Sequence, residues 1–366
     1  MNIKTLSLIF FKNYEELNIN FSKKINLIIG NNGAGKTNLL DAIYYLAFCK
    51  SYFNSRDINN IKFGEFFFSI KGVFKKNNSV EHVYCAFKKG QKKVFKRNNK
   101  KYLKYSDHLG FIPLVMLSPL DINLINEGSE FRRRFIDSVL SQFNNIYLKK
   151  LIKYNEVLKS RNIYLKQRNS FLKHNDLTLE IYNEQMSNIS EYIHDEREKF
   201  IQMFNPIFKN FYKKISNQNN IVNLSYQSQL NNSKLNELLK VNFNKDKLFQ
   251  YTTCGIHKDD ILMQTNENLI KKIGSQGEIK SYLIALKLSQ FYFLKTILKL
   301  SPILLIDDLI DKLDLNRVEA IIEIISKDDF GQVLISDTNN IDLENIIKKY
   351  SKNYEIFRVK NAKILS

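Results

Sequence analysis

Residues Gly30-Asn31-Asn32-Gly33-Ala34-Gly35-Lys36-Thr37 fit the spacing G-x-x-x-x-G-K-T, directly behind the apolar run Ile25-Asn26-Leu27-Ile28-Ile29 and ahead of a helix-like stretch reaching about Phe48. The pattern constrains the fold because each part needs the others. A buried strand delivers the loop, glycines let several backbone N–H groups turn toward one point, and the following helix aims the positive end of its dipole at that point. Such a cradle fits a triphosphate: Lys36 reaches the β/γ-phosphates and Thr37 offers its hydroxyl to Mg²⁺. All eight residues are therefore read as nucleotide-binding, with ATP and Mg²⁺ as the cofactors.

The matching half of such a site stands near the other end of the chain. Pro302-Ile303-Leu304-Leu305-Ile306-Asp307-Asp308 reads as a buried parallel strand that delivers two acids to the sheet's C-terminal edge, where ligands sit in α/β folds. An aspartate there could be a plain helix cap, but the upstream phosphate loop favours a Mg²⁺ site. One helix earlier, Gly274-Ser275-Gln276-Gly277-Glu278 places small residues and a hydroxyl at a helix start, the makings of a second anion site. Ser275 at the N-cap with Glu278 three residues on is equally a capping box. Locally, the residues leave both readings open.

Between these ends the chain changes character. Strand-like segments separated by turns run to about Leu117; from roughly Glu130 to Asn210 apolar residues recur at helical spacing. The expected division is 1–117 and 246–366 for two parts of one ATPase head, with 118–245 as a helical lobe. Three cysteines, Cys49, Cys85 and Cys254, lie far apart and suggest neither a zinc site nor a disulfide framework. No apolar stretch is long enough to span a bilayer and no leader is evident, so a cytoplasmic location without membrane association is expected.

Fifty-six basic against 37 acidic residues give a formal charge of +19, which favours a polyanionic partner. Lysine far outnumbers arginine and asparagine is abundant, as a strongly AT-biased genome would impose, so local clusters carry more weight than the total. One is the hairpin-like run containing Lys88, Lys89, Lys92 and Lys93, with Phe87, Phe95 and Tyr102 interleaved. The other runs along helix-like sequence from Lys149 to Lys173. Each is also readable as a solvated face.

The order of these pieces resembles an ABC-type ATPase head of the SMC kind: phosphate loop, S-x-G at a helix start, apolar strand ending in two acids, then Leu309 to Asp314 and the strand Gln332 to Ser336. The expected fold class is accordingly α/β, an ABC-type, SMC-head-like ATPase head with an inserted helical lobe forming a short arm. Within that class the chain resembles the RecF family. The marks are Phe11-Lys12-Asn13-Tyr14, the residues from Gly30 through Tyr44, Lys50-Ser51-Tyr52-Phe53, Leu117-Ser118-Pro119, Arg132-Arg133-Arg134-Phe135-Ile136-Asp137, Gly255-Ile256-His257-Lys258-Asp259-Asp260 and the two later motifs. The departures are Glu278 where Gln is usual, Lys12 where Arg is common, and Ile256 and Lys258 flanking His257.

The resemblance implies that Asp307 holds Mg²⁺ and that Asp308 orients the attacking water. It also implies that Ser275 and Gly277 reach the γ-phosphate of a partner chain, with Asp314 near that joint. ATP would then close a homodimer on duplex DNA and single-stranded gaps, and RecR- and RecO-like proteins would be partners. His257 receives no catalytic role. Whether the chain turns ATP over slowly under DNA stimulation or is a degenerate ATP-gated clamp stays open; an SMC protein is disfavoured by the shortness of the helical insertion.

Overall fold

The computed structural model describes residues 1–168, 176–216, 220–308, 313–327, 329–338 and 341–365. Leu309 to Lys312, and Lys173 at the end of the second basic cluster, lie outside them. The chain forms two compact units. One comprises Met1–Asp121, Phe211–Asn217 and Lys280–Ser366, the other Ile122–Asn210 and Gln218–Ile279.

The first unit contains two six-stranded sheets. The mainly parallel one orders its strands Lys363–Leu365, Tyr354–Lys360, Ile25–Ile29, Val333–Asp337, Ile303–Asp307 and Leu114–Leu117. Ile25–Ile29, Ile303–Asp307, Val333–Asp337 and Leu114–Leu117 are buried at every position, which is why their sequences are mostly apolar and do not alternate. Parallel register aligns Ile29 with Asp337 and Asp307 with Ser336, so the phosphate loop and the acidic pair leave the same edge. The second sheet is antiparallel, and its strands Phe67–Lys76 and Ser79–Lys88 bury Phe68, Ile70, Phe74, Val83 and Cys85 on one face. Helix Lys36–Phe48 packs against strands of both sheets, which accounts for the burial of ten of its residues rather than a single stripe.

The second unit carries helices Ser129–Leu140, Asn145–Arg168 and most of Leu177–Ser216, together with a small sheet of Val222–Gln227, Asp260–Thr265 and Asn268–Leu269. The expected boundary at 245 falls elsewhere: residues up to Ile279 stay with the helical unit. Pairing of Asp260–Thr265 with Val222–Gln227 holds them there. So do two buried arginines. Arg132 grips Asp260 with two N–H groups at 2.6 and 3.1 Å, and Arg197 donates to Asp259 at 2.9 Å and to Asp137 at 2.9 Å. Among the described residues no helix is long and apolar enough to cross a membrane.

A candidate nucleotide site at the edge of the parallel sheet

The loop after Ile29 turns sharply because glycine stands where no side chain fits. A Cβ on Gly30 would lie 2.3 Å from the Val359 carbonyl oxygen. Gly35, at φ +116, would press one against the Asn13 amide and Tyr14 hydroxyl, both at 2.9 Å. Helix Lys36–Phe48 starts immediately after it. Lys36 is buried, and its ammonium donates to the carbonyls of Gly30 at 2.8 Å and Asn31 at 3.4 Å.

The acidic strand meets this loop directly. Thr37, 270 positions from Asp307 in sequence, donates its hydroxyl to Asp307 Oδ1 at 2.8 Å. Lys36 Nζ stands 3.7 Å from Asp308 Oδ2. Ser336, at the end of the neighbouring strand, donates its hydroxyl to the same Asp307 oxygen at 2.7 Å, and its Oγ lies 3.1 Å from the Asp308 backbone nitrogen. Burial pushes the Asp307 carboxyl above the usual aspartate range, the neighbouring Asp308 charge adds to this, and the hydroxyls and Lys36 offset it in part. Asp308 is more exposed, and its backbone adopts φ +41, a left-handed conformation costly for any residue with a side chain. Lys36, Thr37, Asp307 and Asp308 thus form one constellation, at the edge where α/β sheets bind ligands.

The residues fit a phosphate-bound divalent cation. Mg²⁺ takes one or two carboxylates plus phosphate oxygens rather than a full protein cage, and the described residues contain no group of three or more acids, histidines or cysteines fit to hold a metal alone. A cation beside Asp307 would also offset the cost of burying its charge.

Curated relatives match along the whole chain. A DNA replication and repair protein RecF from Flavobacterium johnsoniae is 48% identical over 98% of this chain and 100% of its own length. The RecF of Bacteroides thetaiotaomicron is 46% identical, covering 98% of this chain and 97% of its own. The chain belongs to the RecF family. The family pattern described as the RecF/RecN/SMC N terminal domain matches residues 2–107. A solved structure of the recombination mediator protein RecF with ATP superposes with TM-score 0.89 at 27% identity, covering 100% of this chain and 97% of that one. An Smc head bound to the C-winged helix domain of ScpA superposes at 0.60 with 15% identity, covering 100% and 97%, and shares the fold. The ABC-type, SMC-head-like reading holds.

Several RecF-family marks now have physical reasons. The segment Phe11 to Tyr14 clamps the start of the phosphate-loop helix: Tyr14 donates its hydroxyl to the Gly35 carbonyl at 3.1 Å, and Asn38 donates to Asn13 Oδ1 at 2.8 Å. Lys12, at φ +53, pairs with buried Asp41 at 2.6 Å. Asp41 in turn accepts from the Ser51 hydroxyl at 2.6 Å and the Tyr52 N–H at 2.7 Å, tying Lys50 to Phe53 to the same helix. The sequence reading missed these roles and that of Ser336. A hydroxyl ending a parallel strand beside an acidic one was the available signal.

Ser275 and Gly277 belong to the second unit. There Ser275 and Glu278 form a reciprocal capping box: the Ser275 N–H donates to Glu278 Oε2 at 2.8 Å and the Glu278 N–H to Ser275 Oγ at 3.3 Å. Asn220 donates to the other carboxylate oxygen at 3.0 Å. The extra charge at Glu278 is therefore engaged by its own helix start. Asp314 caps helix Leu315–Ser326 and pairs with Arg317 at 2.9 Å. His257 lies between Tyr154 and the Thr252 carbonyl, at 2.9 and 3.0 Å, and burial lowers its pKa to about 4, as suits a neutral structural histidine. Lys93 leaves the basic hairpin group: it turns inward to the Cys49 carbonyl at 2.7 Å and to Asp57 at 3.0 Å, while Lys88, Lys89 and Lys92 stay exposed.

Proposed function

We propose that this chain is an ATP-dependent DNA-binding protein of recombinational repair that closes into a homodimer on ATP, binds duplex DNA and single-stranded gaps, and helps load recombinase there with RecR- and RecO-like partners. One observation carries the nucleotide part: Thr37 and Asp307 touch at 2.8 Å across 270 positions of sequence, with Lys36 beside Asp308. The described likeness to a RecF–ATP structure, whose protein belongs to the RecFOR pathway, supports the rest.

The residues divide the work by environment. Lys36 exchanges its bonds to the Gly30 and Asn31 carbonyls for β/γ-phosphate oxygens, so its buried charge keeps partners throughout. Thr37 and Asp307 would hold Mg²⁺, which neutralises phosphate charge when bound. Asp308, more exposed and held by Ser336, orients the attacking water and accepts its proton. Ser275 and Gly277 act on the nucleotide of the second protomer. Steady-state ATP hydrolysis with and without duplex DNA tests this. Slow turnover that DNA accelerates is expected; tight ATP binding with no turnover in either condition would make the chain a clamp, and absence of ATP binding would refute the site.

A further inference from the structure

The antiparallel sheet of the first unit buries one face and leaves the other open, so its register decides what the open face carries. Lys71 pairs with Tyr84, Tyr84 with Lys96, and Lys96 with Lys101. One row across four neighbouring strands thus reads Lys-Tyr-Lys-Lys and spans about 14 Å at the usual strand spacing. On the same face Phe67 pairs with Lys88. Just beyond that pair, two turns are joined by the Lys89 N–H donating to the Phe66 carbonyl at 2.9 Å. Phe66 is 68% exposed there, beside exposed Lys89, and Phe63 is fully exposed. Among the strand residues of this face the one carboxylate is Glu16, on the far strand Glu16–Asn20.

Half-buried Tyr84 among lysines and exposed phenylalanines at the end of the face have a specific use. Lysines neutralise phosphates, but a duplex keeps its bases stacked inside and gives the rings nothing to cover. Unpaired bases stack on such rings while the backbone follows the charge. A protein partner fits less well, because lysine is depleted at the core of protein interfaces. We propose that this open face, from Lys101 through Tyr84 to the Phe63–Phe66 turn, binds single-stranded DNA. The proposal deepens the DNA-binding reading above and rests on it.

Fluorescence anisotropy with oligo(dT) of about 15 nucleotides and with a duplex of equal length tests it. Phe66→Ala with Tyr84→Ala should weaken oligo(dT) binding by about tenfold per ring, leave duplex affinity and the salt slope unchanged, and spare ATP hydrolysis. Tyr84→Phe keeps a ring and should retain binding. Replacing Lys71, Lys88 and Lys96 by Gln should flatten the salt slope for oligo(dT) by about 2. Unchanged oligo(dT) affinity in the aromatic variant, or equal loss on duplex, would overturn the proposal and leave DNA binding as such intact. Wild-type protein that binds neither DNA would remove the underlying reading as well.

Discussion

Asp307 and Asp308 are neighbours in opposite environments, and their variants should separate accordingly. The Asp307 pKa is raised in the folded state, chiefly by burial, so its ionised form opposes folding. That cost is absent below the unfolded-state pKa and grows as pH rises through the folded one. Asp307→Asn keeps an acceptor for the Thr37 and Ser336 hydroxyls and removes the charge. It should therefore raise the melting temperature of the nucleotide-free protein at neutral pH by about 2 °C or more, with the gain vanishing in acid, while weakening Mg²⁺–ATP binding. A variant that melts earlier than wild type at neutral pH would contradict this. Asp308→Asn should keep ATP affinity and slow turnover, trapping the closed dimer. Lys36→Ala should abolish ATP-dependent function, because it removes the loop's side-chain charge on the phosphates; Lys36→Arg should bind better than it turns over. Isothermal titration and steady-state hydrolysis on these variants read both halves.

Elements were legible where one local force set them. The mostly apolar run placed the strand Ile25–Ile29, and the acidic strand followed the same logic. Side chains whose partners lie far along the chain were not legible. Lys93 reads as one more hairpin lysine, and only the fold brings Asp57 and the Cys49 carbonyl to it. Nothing in the sequence tells that Arg132 will meet Asp260, 128 positions away, and so the boundary expected at 245 differs from the observed one, where the second unit runs to Ile279. Arg132 also donates to the Leu124 and Glu127 carbonyls, so Arg132→Ala should cost about 3 kcal/mol by chemical denaturation, with Asp260 left uncompensated. A loss under about 1 kcal/mol would mean that the pair does not hold the lobe together. At the S-x-G helix, Ser275→Ala should cost about 1 kcal/mol through the lost cap. Ser275→Arg tests the proposed joint: ATP-bound monomers are expected. A variant that melts early but still dimerises would leave the motif as a cap alone.

At the scale of the whole chain, residues near both ends meet at one edge of the parallel sheet, and the long helical segment between them belongs largely to a second unit. This arrangement was readable from motif order, since a phosphate loop and its acidic strand must reach the same sheet edge whatever lies between. What sequence order leaves out is how a half-site becomes a switch. We propose that ATP supplies that step: with the phosphate loop filled, the S-x-G segment of a second protomer would complete the site, and hydrolysis would release it. Size-exclusion chromatography with light scattering, in ATP–Mg²⁺ and in ADP, measures this directly. Wild-type protein should run as a dimer in ATP–Mg²⁺ and a monomer in ADP, and Lys36→Ala as a monomer in both; a mass that does not respond to the nucleotide would contradict the account.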